Sequence, residues 1–364
     1  MYELTAENVV AWLRETGHLA ADEPATAEWL AWGVSNVVLR ITRPATDDIV
    51  LKQSRARLRT EVEWISRLDR IWREAELMRE LGGRLPAGTV PQVLFEDRDN
   101  YAFAMQAISA DHVVWKAELL AGTADSAIAR QAGELLGTLH QSTFGDSAAA
   151  RKWGDREVFE QLRVDPFYHH VARVHPQLEP AISRMVAEMD QRQECVVHAD
   201  FSPKNLLITG PLPAALSGQS VRLVNSGDTG ESARQLALVD WETGHYGDPA
   251  FDLGFFLSHL LLKAVLHAPQ HEPVLVLVRE FLRSYATARG AEQDILFRRS
   301  LLHLAGCMLS RIDGTSTIDY LPQPGRRDVV RRFTFSLLLE PAASMDEALG
   351  RLVDGLEESS TELQ

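Results

Sequence analysis

The chain has 364 residues, 45% of them hydrophobic, enough for one large or two ordinary domains with buried cores. Its 51 acidic and 37 basic residues give a formal charge of −14, which argues against general binding to nucleic acid or to an anionic membrane, since both need basic surface. Cys195 and Cys307 are too few for a disulfide framework and are not spaced for zinc, which fits a reducing cytoplasm; Met1-Tyr2-Glu3-Leu4 lacks a basic region followed by an apolar stretch, and no uncharged run reaches the roughly 20 residues of a spanning helix, so a soluble, unexported protein is expected.

In chain order, Val9, Val10, Trp12 and Leu13 predict a short amphipathic helix over Asn8 to Glu15, a lid or packing element. Glu28 to Ile41 reads as two β-rich runs around Gly33-Val34-Ser35-Asn36. With one glycine, this turn fits a plain hairpin as well as a phosphate-covering loop. Asp48-Ile49-Val50-Leu51-Lys52-Gln53 is an apolar strand closed by a lysine, which by itself reads as a solvated strand end. A helix is expected from Glu63 to Leu81, with Glu63, Glu74, Glu76 and Glu80 along it and Gly82-Gly83 and Pro86 to stop it. Two short strands, Gln92 to Phe95 and Tyr101 to Met105, flank a polar turn. Ala129 to His140 is helical, with Gly137 suited to close helix approach and His140 read as packing. Asp155 to Pro180 has poor periodicity and three histidines, His169, His170 and His175, without an acid or cysteine at metal spacing.

The chemistry gathers further on. Val196-Val197-His198-Ala199-Asp200-Phe201-Ser202-Pro203-Lys204-Asn205 puts an acid and an amide on one loop between apolar runs. Protein kinases use H-x-D, four residues, then N, with the Asp taking the substrate hydroxyl proton and the Asn holding Mg²⁺. The next strand signal, Leu236-Ala237-Leu238-Val239-Asp240-Trp241-Glu242, ends in two acids. Hard divalent cations take carboxylate and amide oxygens, so Asn205, Asp240 and Glu242 form a candidate Mg²⁺ set. On an extended strand residues i and i+2 point the same way, so both carboxylates are expected at the metal, with Trp241 on the opposite side, packed in the C-terminal lobe. Between loop and strand, Thr209 to Glu231 is a Gly/Ser/Pro-rich excursion. Pro249 to Val265 is an apolar helix on which Asp252 reads as a helix-start acid. Helix patterns with breaks at Gly290, Gly314 and Pro341 fill the remainder.

Together these motifs resemble the aminoglycoside phosphotransferase and choline kinase-like enzymes, which have a protein-kinase-like fold. Asp240-Trp241-Glu242 and the following Tyr246-Gly247-Asp248-Pro249-Ala250-Phe251-Asp252-Leu253-Gly254 are most similar to the methylthioribose kinase branch. The resemblance runs from about Gly33 to the C-terminal helices. Ala199 and Ser202-Pro203-Lys204 differ from that branch's Gly-Asp-Leu-His-Thr-Gly wording.

The resemblance implies an α+β, bilobal fold with a small β-rich N-lobe carrying one long helix, and a larger, mainly helical C-lobe. Residues 1–105 would form the nucleotide-binding lobe, 106–110 a hinge, and 111–364 the catalytic and substrate-binding lobe. It implies that Gly33, Ser35 and Asn36 cover the phosphates and that Lys52 contacts them. Glu74 pairs with Lys52, because Arg70-Ile71-Trp72-Arg73-Glu74-Ala75 is similar to the family's helix wording. Gln106 to Ile108 would offer backbone groups to the purine. Asp200 would be the catalytic base, and Lys204 would neutralise γ-phosphate charge. Asp252 would brace the catalytic loop, and the segment from Asp155 to Pro180 would shape the acceptor pocket. Paired arginines hold substrate in methylthioribose kinases, and Arg298, Arg299 and Arg311 lie in that region, where solvated helix charges fit as well.

The implied activity is ATP- or GTP-dependent, Mg²⁺-dependent phosphorylation of a hydroxyl on a small sugar, nucleoside or aminoglycoside-type acceptor by a monomer or homodimer, with no nucleic-acid or membrane partner. A methylthioribose kinase proper and a non-catalytic kinase-like binding module are the alternatives.

Overall fold

The structure is a computed structural model that describes residues 1–30, 36–55, 66–210, 222–224, 234–290 and 293–362. The chain divides into two compact units: residues 1–111 with 237–243, and residues 112–236 with 244–364. The seven-residue return of 237–243 to the first unit is a discontinuity that a division into contiguous segments does not represent.

The first unit is built on five antiparallel strands in the order β1-β2-β3-β5-β4, comprising β1 (Thr26–Trp29), β2 (Asn36–Thr42), β3 (Ile49–Ser54), β4 (Val93–Asp97) and β5 (Ala102–Gln106). Central β3 is buried along its whole length, so Lys52 does not close a strand into solvent. It stands in mid-sheet between Val38 and Phe103. Helix α1 (Val9–Glu15) lays Val9, Trp12 and Leu13 on a core with Leu39, Ile41, Ile49 and Leu51, so it is a packing element. Helix α2 (Arg70–Gly82) begins later than expected and ends at Gly83. Its buried stripe of Ile71, Ala75, Met78 and Leu81 carries Glu74 at a position its spacing would give to an apolar side chain.

In the second unit, β6 (Val113–Val114), α3 (Trp115–Leu120) and β7 (Thr123–Asp125) lead into α4 (Ser126–Thr143) and α5 (Ser147–Trp153). Then α6 (Glu157–Phe159), a ten-residue π-helical run (Glu160–His169) and α7 (His170–Val174) form a continuous wall before α8 (Glu179–Gln191). The π-helical run, with Pro166 inside it, is why this stretch shows no 3.6-residue periodicity. Strands β8 (Cys195–Val197) and β9 (Leu206–Thr209) flank the Asp200 loop, β9 pairing with β6. Within the Gly/Ser/Pro-rich excursion, β10 (Arg222–Val224) pairs in parallel with β7. Strand β11 (Gln235–Leu238) carries the chain across the boundary, and β12 (His245–Gly247) pairs with β8.

Five helices complete the unit: α9 (Pro249–His267), α10 (Glu272–Arg289), α11 (Asp294–Asp313), α12 (Pro324–Leu339) and α13 (Met345–Glu362). Gly290 and Gly314 follow α10 and α11 as the sequence breaks suggest. Helix α9 is long and apolar enough to cross a bilayer, but its apolar window is 94% buried inside the fold, as befits a core helix. Its N-cap is Asp248, whose carboxylate accepts from the Ala250 N–H (2.9 Å); this frees Asp252, one turn on, for another task. Helices α4 and α10 touch at Gly133 and Gly137, where a Cβ would fall 2.3 Å from the Phe281 carbonyl and 2.7 Å from that of Tyr285.

Candidate functional site

Within the first unit, β3, α2 and the segment following β11 converge on one ammonium. Lys52 Nζ donates to Glu74 Oε1 (2.7 Å) and Oε2 (2.8 Å) and to Asp240 Oδ1 (2.8 Å). Burial works against the charged Lys52, but the carboxylates of Asp240, Glu74 and Glu242 outweigh it and hold its pKa above the ordinary lysine value. Burial is also the main influence on Glu74, pushing its carboxyl up to about 7 against the pull of Lys52. Asp240 reaches the ammonium from a left-handed backbone (φ 71°).

That backbone corrects the extended-strand expectation for Asp240-Trp241-Glu242. The chain is turned rather than extended there, yet the two carboxylates still bring oxygens within 4.8 Å of one another. Glu242 Oε2 accepts from Asn36 Nδ2 (2.9 Å) and from Arg70 Nε (3.0 Å). Arg70 is 1% exposed and closes the cluster with Nη2 to Asn36 Oδ1 (3.3 Å). Asn36 is therefore tied to Glu242 and Arg70. Trp241 is fully buried; its backbone N–H donates to Glu74 Oε1 (3.3 Å).

Glu74, Asp240 and Glu242 offer oxygens within 4.8 Å of one another, a donor set that suits a hard divalent cation. All three carboxylates are engaged, Glu74 and Asp240 by Lys52 and Glu242 by Arg70 and Asn36; Asp240 is the most exposed of them, its side chain 20% exposed against 7% for Glu242 and 0% for Glu74. Gly33 and Ser35 lie outside the described residues. At the expected hinge, the Gln106 N–H donates to the Gln92 carbonyl (2.8 Å) and the Ile108 carbonyl accepts from Arg40 Nη1 (3.1 Å), so both of these groups are engaged within the unit.

The second unit holds the other residues. Asp200 is 8% exposed. Its Oδ2 accepts from Asn205 Nδ2 (2.7 Å) and lies 3.9 Å from Lys204 Nζ, while Oδ1 is 2.7 Å from Arg163 Nη2. Asn205 thus turns its NH₂ to Asp200, and its Oδ1, the atom a cation would take, accepts no hydrogen bond among the described residues. Arg163 is a residue that the sequence motifs do not mark. It sits on the π-helical run and also donates from Nε to the Ala199 carbonyl (2.8 Å).

The loop is braced from below by Asp252, whose carboxylate accepts from the His198 and Ala199 N–H groups (2.7 Å each) and meets His140 Nε2 at 3.1 Å. Burial raises the Asp252 carboxyl, but the His140 and His198 contacts overcome it and hold the pKa below the ordinary value of 3.8. Ala199, like Asp240, is left-handed (φ 59°). His140 also meets the Tyr285 hydroxyl (2.9 Å), so it is a supporting residue. Of the candidate arginines, Arg298 is exposed, Arg299 pairs with Asp248 and Glu194, and Arg311 donates to Ser316 Oγ (2.9 Å).

A family model described as "Phosphotransferase enzyme family" matches residues 26–216, just over half of the chain. The chain belongs to that family. Similar curated members are methylthioribose kinases from Yersinia pestis, 28% identical over 276 residues, and from Yersinia enterocolitica, 29% identical over 277. Each match covers 72% of this chain, which spans only 65% and 66% of those relatives. Among solved structures, an amicoumacin kinase in complex with AMP-PNP, Ca²⁺ and its antibiotic superposes with a TM-score of 0.52 at 13% identity, covering 94% of this chain and 98% of that one. An aminoglycoside phosphotransferase from Alicyclobacillus acidocaldarius gives 0.51 at 10% identity, covering 99% and 98%. The fold is therefore the α+β, protein-kinase-like one of these phosphotransferases, as its β-rich first unit and mainly helical second unit also indicate.

Proposed function

We propose that the chain is a Mg²⁺-dependent kinase that moves the γ-phosphoryl group of ATP or GTP to a hydroxyl of a small acceptor of sugar, nucleoside or aminoglycoside type. The observation that carries this reading is the buried Lys52 ammonium held by Glu74 and Asp240, the arrangement phosphoryl transfer needs to grip nucleotide phosphates. In this reading residues 1–105 with 237–243 serve the nucleotide, 106–110 link, and the rest of 111–364 serves the acceptor.

Lys52, aligned by Glu74, donates to the nucleotide phosphates. Asp240 and Asn205 would hold Mg²⁺, which when bound neutralises charge on the β- and γ-phosphates; Glu242 holds Arg70 and Asn36. Asp200, oriented by Arg163 and Asn205, accepts the acceptor's O–H proton as the O–Pγ bond forms and the Pγ–O bond to the β-phosphate breaks. The nucleoside diphosphate leaves, and the proton passes from Asp200 to solvent. Lys204, beside Asp200, offsets charge on the transferring group.

Asp200→Asn tests the reading. Turnover should fall about 10²- to 10⁴-fold, the usual worth of a positioned general base, with nucleotide affinity unchanged. Near wild-type turnover would reject it. The methylthioribose kinase relatives support a narrower reading, in which the acceptor is methylthioribose. Saturable phosphorylation of that sugar is the measurement that decides it.

A further inference from the structure

Besides Asp252 near its start, the helix that reads from sequence as apolar carries two further titratable groups in the core of the second unit, His259 and Lys263. Lys263 is 0% exposed, and its Nζ has no hydrogen-bond partner among the described residues. His259 lies one turn before it, 8% exposed. The Lys263 ammonium sits 5.1 Å from the centre of the Tyr320 ring, and Lys116 Nζ approaches the same ring at 6.0 Å. The Tyr320 hydroxyl is also buried without a hydrogen-bond partner among the described residues.

Arg311 joins this group. Lys116 and Arg311 both push the Lys263 pKa down, although burial is the larger influence, and His259 feels Lys263, Arg311, Lys116 and Lys204 in the same direction. The acids that face the cluster are Asp319, acting on Lys116, and Asp200, acting on Arg311. Asp200 is already paired with Arg163. In a chain of net charge −14, basic side chains on α3, α9 and α11 are thus gathered with too few counter-charges.

A buried ammonium that no protein group hydrogen-bonds is strongly disfavoured, and it either loses its proton or meets a polar partner, of which an anion offsets its charge best. The cluster borders the catalytic loop: the Lys116 N–H donates to the Pro203 carbonyl (2.9 Å), and Arg311 senses the Asp200 carboxylate. In the reading above residues 111–364 serve the acceptor and Lys204 already offsets the transferring phosphoryl group, so the anion that this cluster calls for is assigned to the acceptor.

We propose that the acceptor carries a carboxylate or phosphate group, held by Lys263, Lys116, Arg311 and the Tyr320 hydroxyl while its reacting hydroxyl lies at Asp200. This deepens, and rests on, the kinase reading. It selects against the narrower reading, since methylthioribose carries no anionic group, and against polycationic acceptors such as aminoglycosides, which would add positive charge to an unbalanced cationic site. The anionic group takes no part in the transfer, whose bonds and proton follow the course given above.

The test uses the full chain and two readouts. Thermal melts at constant ionic strength compare sodium phosphate and sodium acetate with sodium chloride, in wild type, Lys263→Met and Lys52→Met. Phosphate, acetate or both should raise the melting temperature of wild type and of Lys52→Met, and neither should raise that of Lys263→Met. Lys263→Met itself should melt no lower than wild type, since an unpaired buried cation is exchanged for an apolar chain of similar length. No increment in wild type, or an equal one in Lys263→Met, overturns the proposal. Lys116→Gln, at a half-buried position, repeats the comparison if Lys263→Met does not fold.

Turnover of ATP is then compared with glycerol, glycerate, glycerol 3-phosphate and kanamycin. One of the two anionic compounds should exceed the others at least tenfold in kcat/KM, and glycerate against glycerol 3-phosphate separates carboxylate from phosphate. The advantage should vanish in Lys263→Met through KM. Preference for glycerol or kanamycin overturns the proposal. Ion increments that depend on Lys263, without turnover of any compound, support the anion site and count against the kinase reading.

Discussion

Asp252→Asn removes one charge and changes no shape. In the wild type the fully buried carboxylate accepts two backbone N–H groups at 2.7 Å and meets His140 at 3.1 Å. The amide keeps one accepting oxygen, but its NH₂ must face a backbone donor, so a buried N–H loses its partner. An unmade buried hydrogen bond costs about 1–3 kcal/mol, and bonds to a charged acceptor contribute about 1.5–3 kcal/mol, so the sum is about 2.5–6 kcal/mol. That is a large part of the roughly 5–15 kcal/mol by which a domain is stable. The folded pKa of Asp252 lies below its ordinary value of 3.8, so its contribution is present above pH 3.8 and is lost as pH falls through the lower, folded value. Urea unfolding should therefore show a deficit of about 2.5–6 kcal/mol at pH 7 that narrows as pH falls below 3.8. A deficit under about 1 kcal/mol at pH 7, or one that does not change with pH, refutes the bracing role.

Three further outcomes follow from the same geometry. Arg163→Gln should lower kcat about 10- to 100-fold with nucleotide affinity and acceptor KM little changed, because it loosens the carboxylate that must aim at the hydroxyl, and Arg163→Lys should recover part of the loss; a change confined to KM would contradict this. At Ala199, held at φ 59°, glycine should be tolerated to within about 1 kcal/mol while valine costs about 2 kcal/mol or more in thermal melts, since a left-handed backbone penalises a branched Cβ. Gly133→Ala should destabilise by about 1–3 kcal/mol in urea, because its Cβ would press on the Phe281 carbonyl and force α4 from α10.

The residues that carry a strong local wording are legible in the amino-acid sequence itself. Lys52, Glu74, Asp200, Asn205 and Asp240 lie in short motifs whose order along the chain is informative, and the fold places Lys52, Glu74 and Asp240 within hydrogen-bond reach. Gly137 announces a close helix crossing by being a glycine on an apolar helix face. Three features are hidden for physical reasons. Arg163 lies on π-helical turns, where the 3.6-residue pattern that exposes a functional face is absent. Glu242 comes close to Asp240 by a left-handed turn and not along an extended strand, and nothing in Asp-Trp-Glu signals that turn or the ties of Glu242 to Asn36 and Arg70. Lys263 and His259 are masked by an otherwise apolar helix, although a lysine at a core position of such a run is itself the sign that could find them.

The return of 237–243 to the first unit also sets an order of assembly. A ribosome delivers the sheet strands, Lys52 and Glu74 within the first 111 residues, yet Asp240 emerges only after more than a hundred further residues have been made. Until then the buried ammonium has one of its two acidic partners, and Arg70 lacks Glu242. The newly made N-terminal segment is thus left with a charge imbalance at its centre that only the later chain corrects. In the kinase reading, nucleotide-binding competence is delayed until the loop at Asp200 has also been synthesised, and a fragment ending at residue 111 should be produced as an aggregation-prone, partly ordered species.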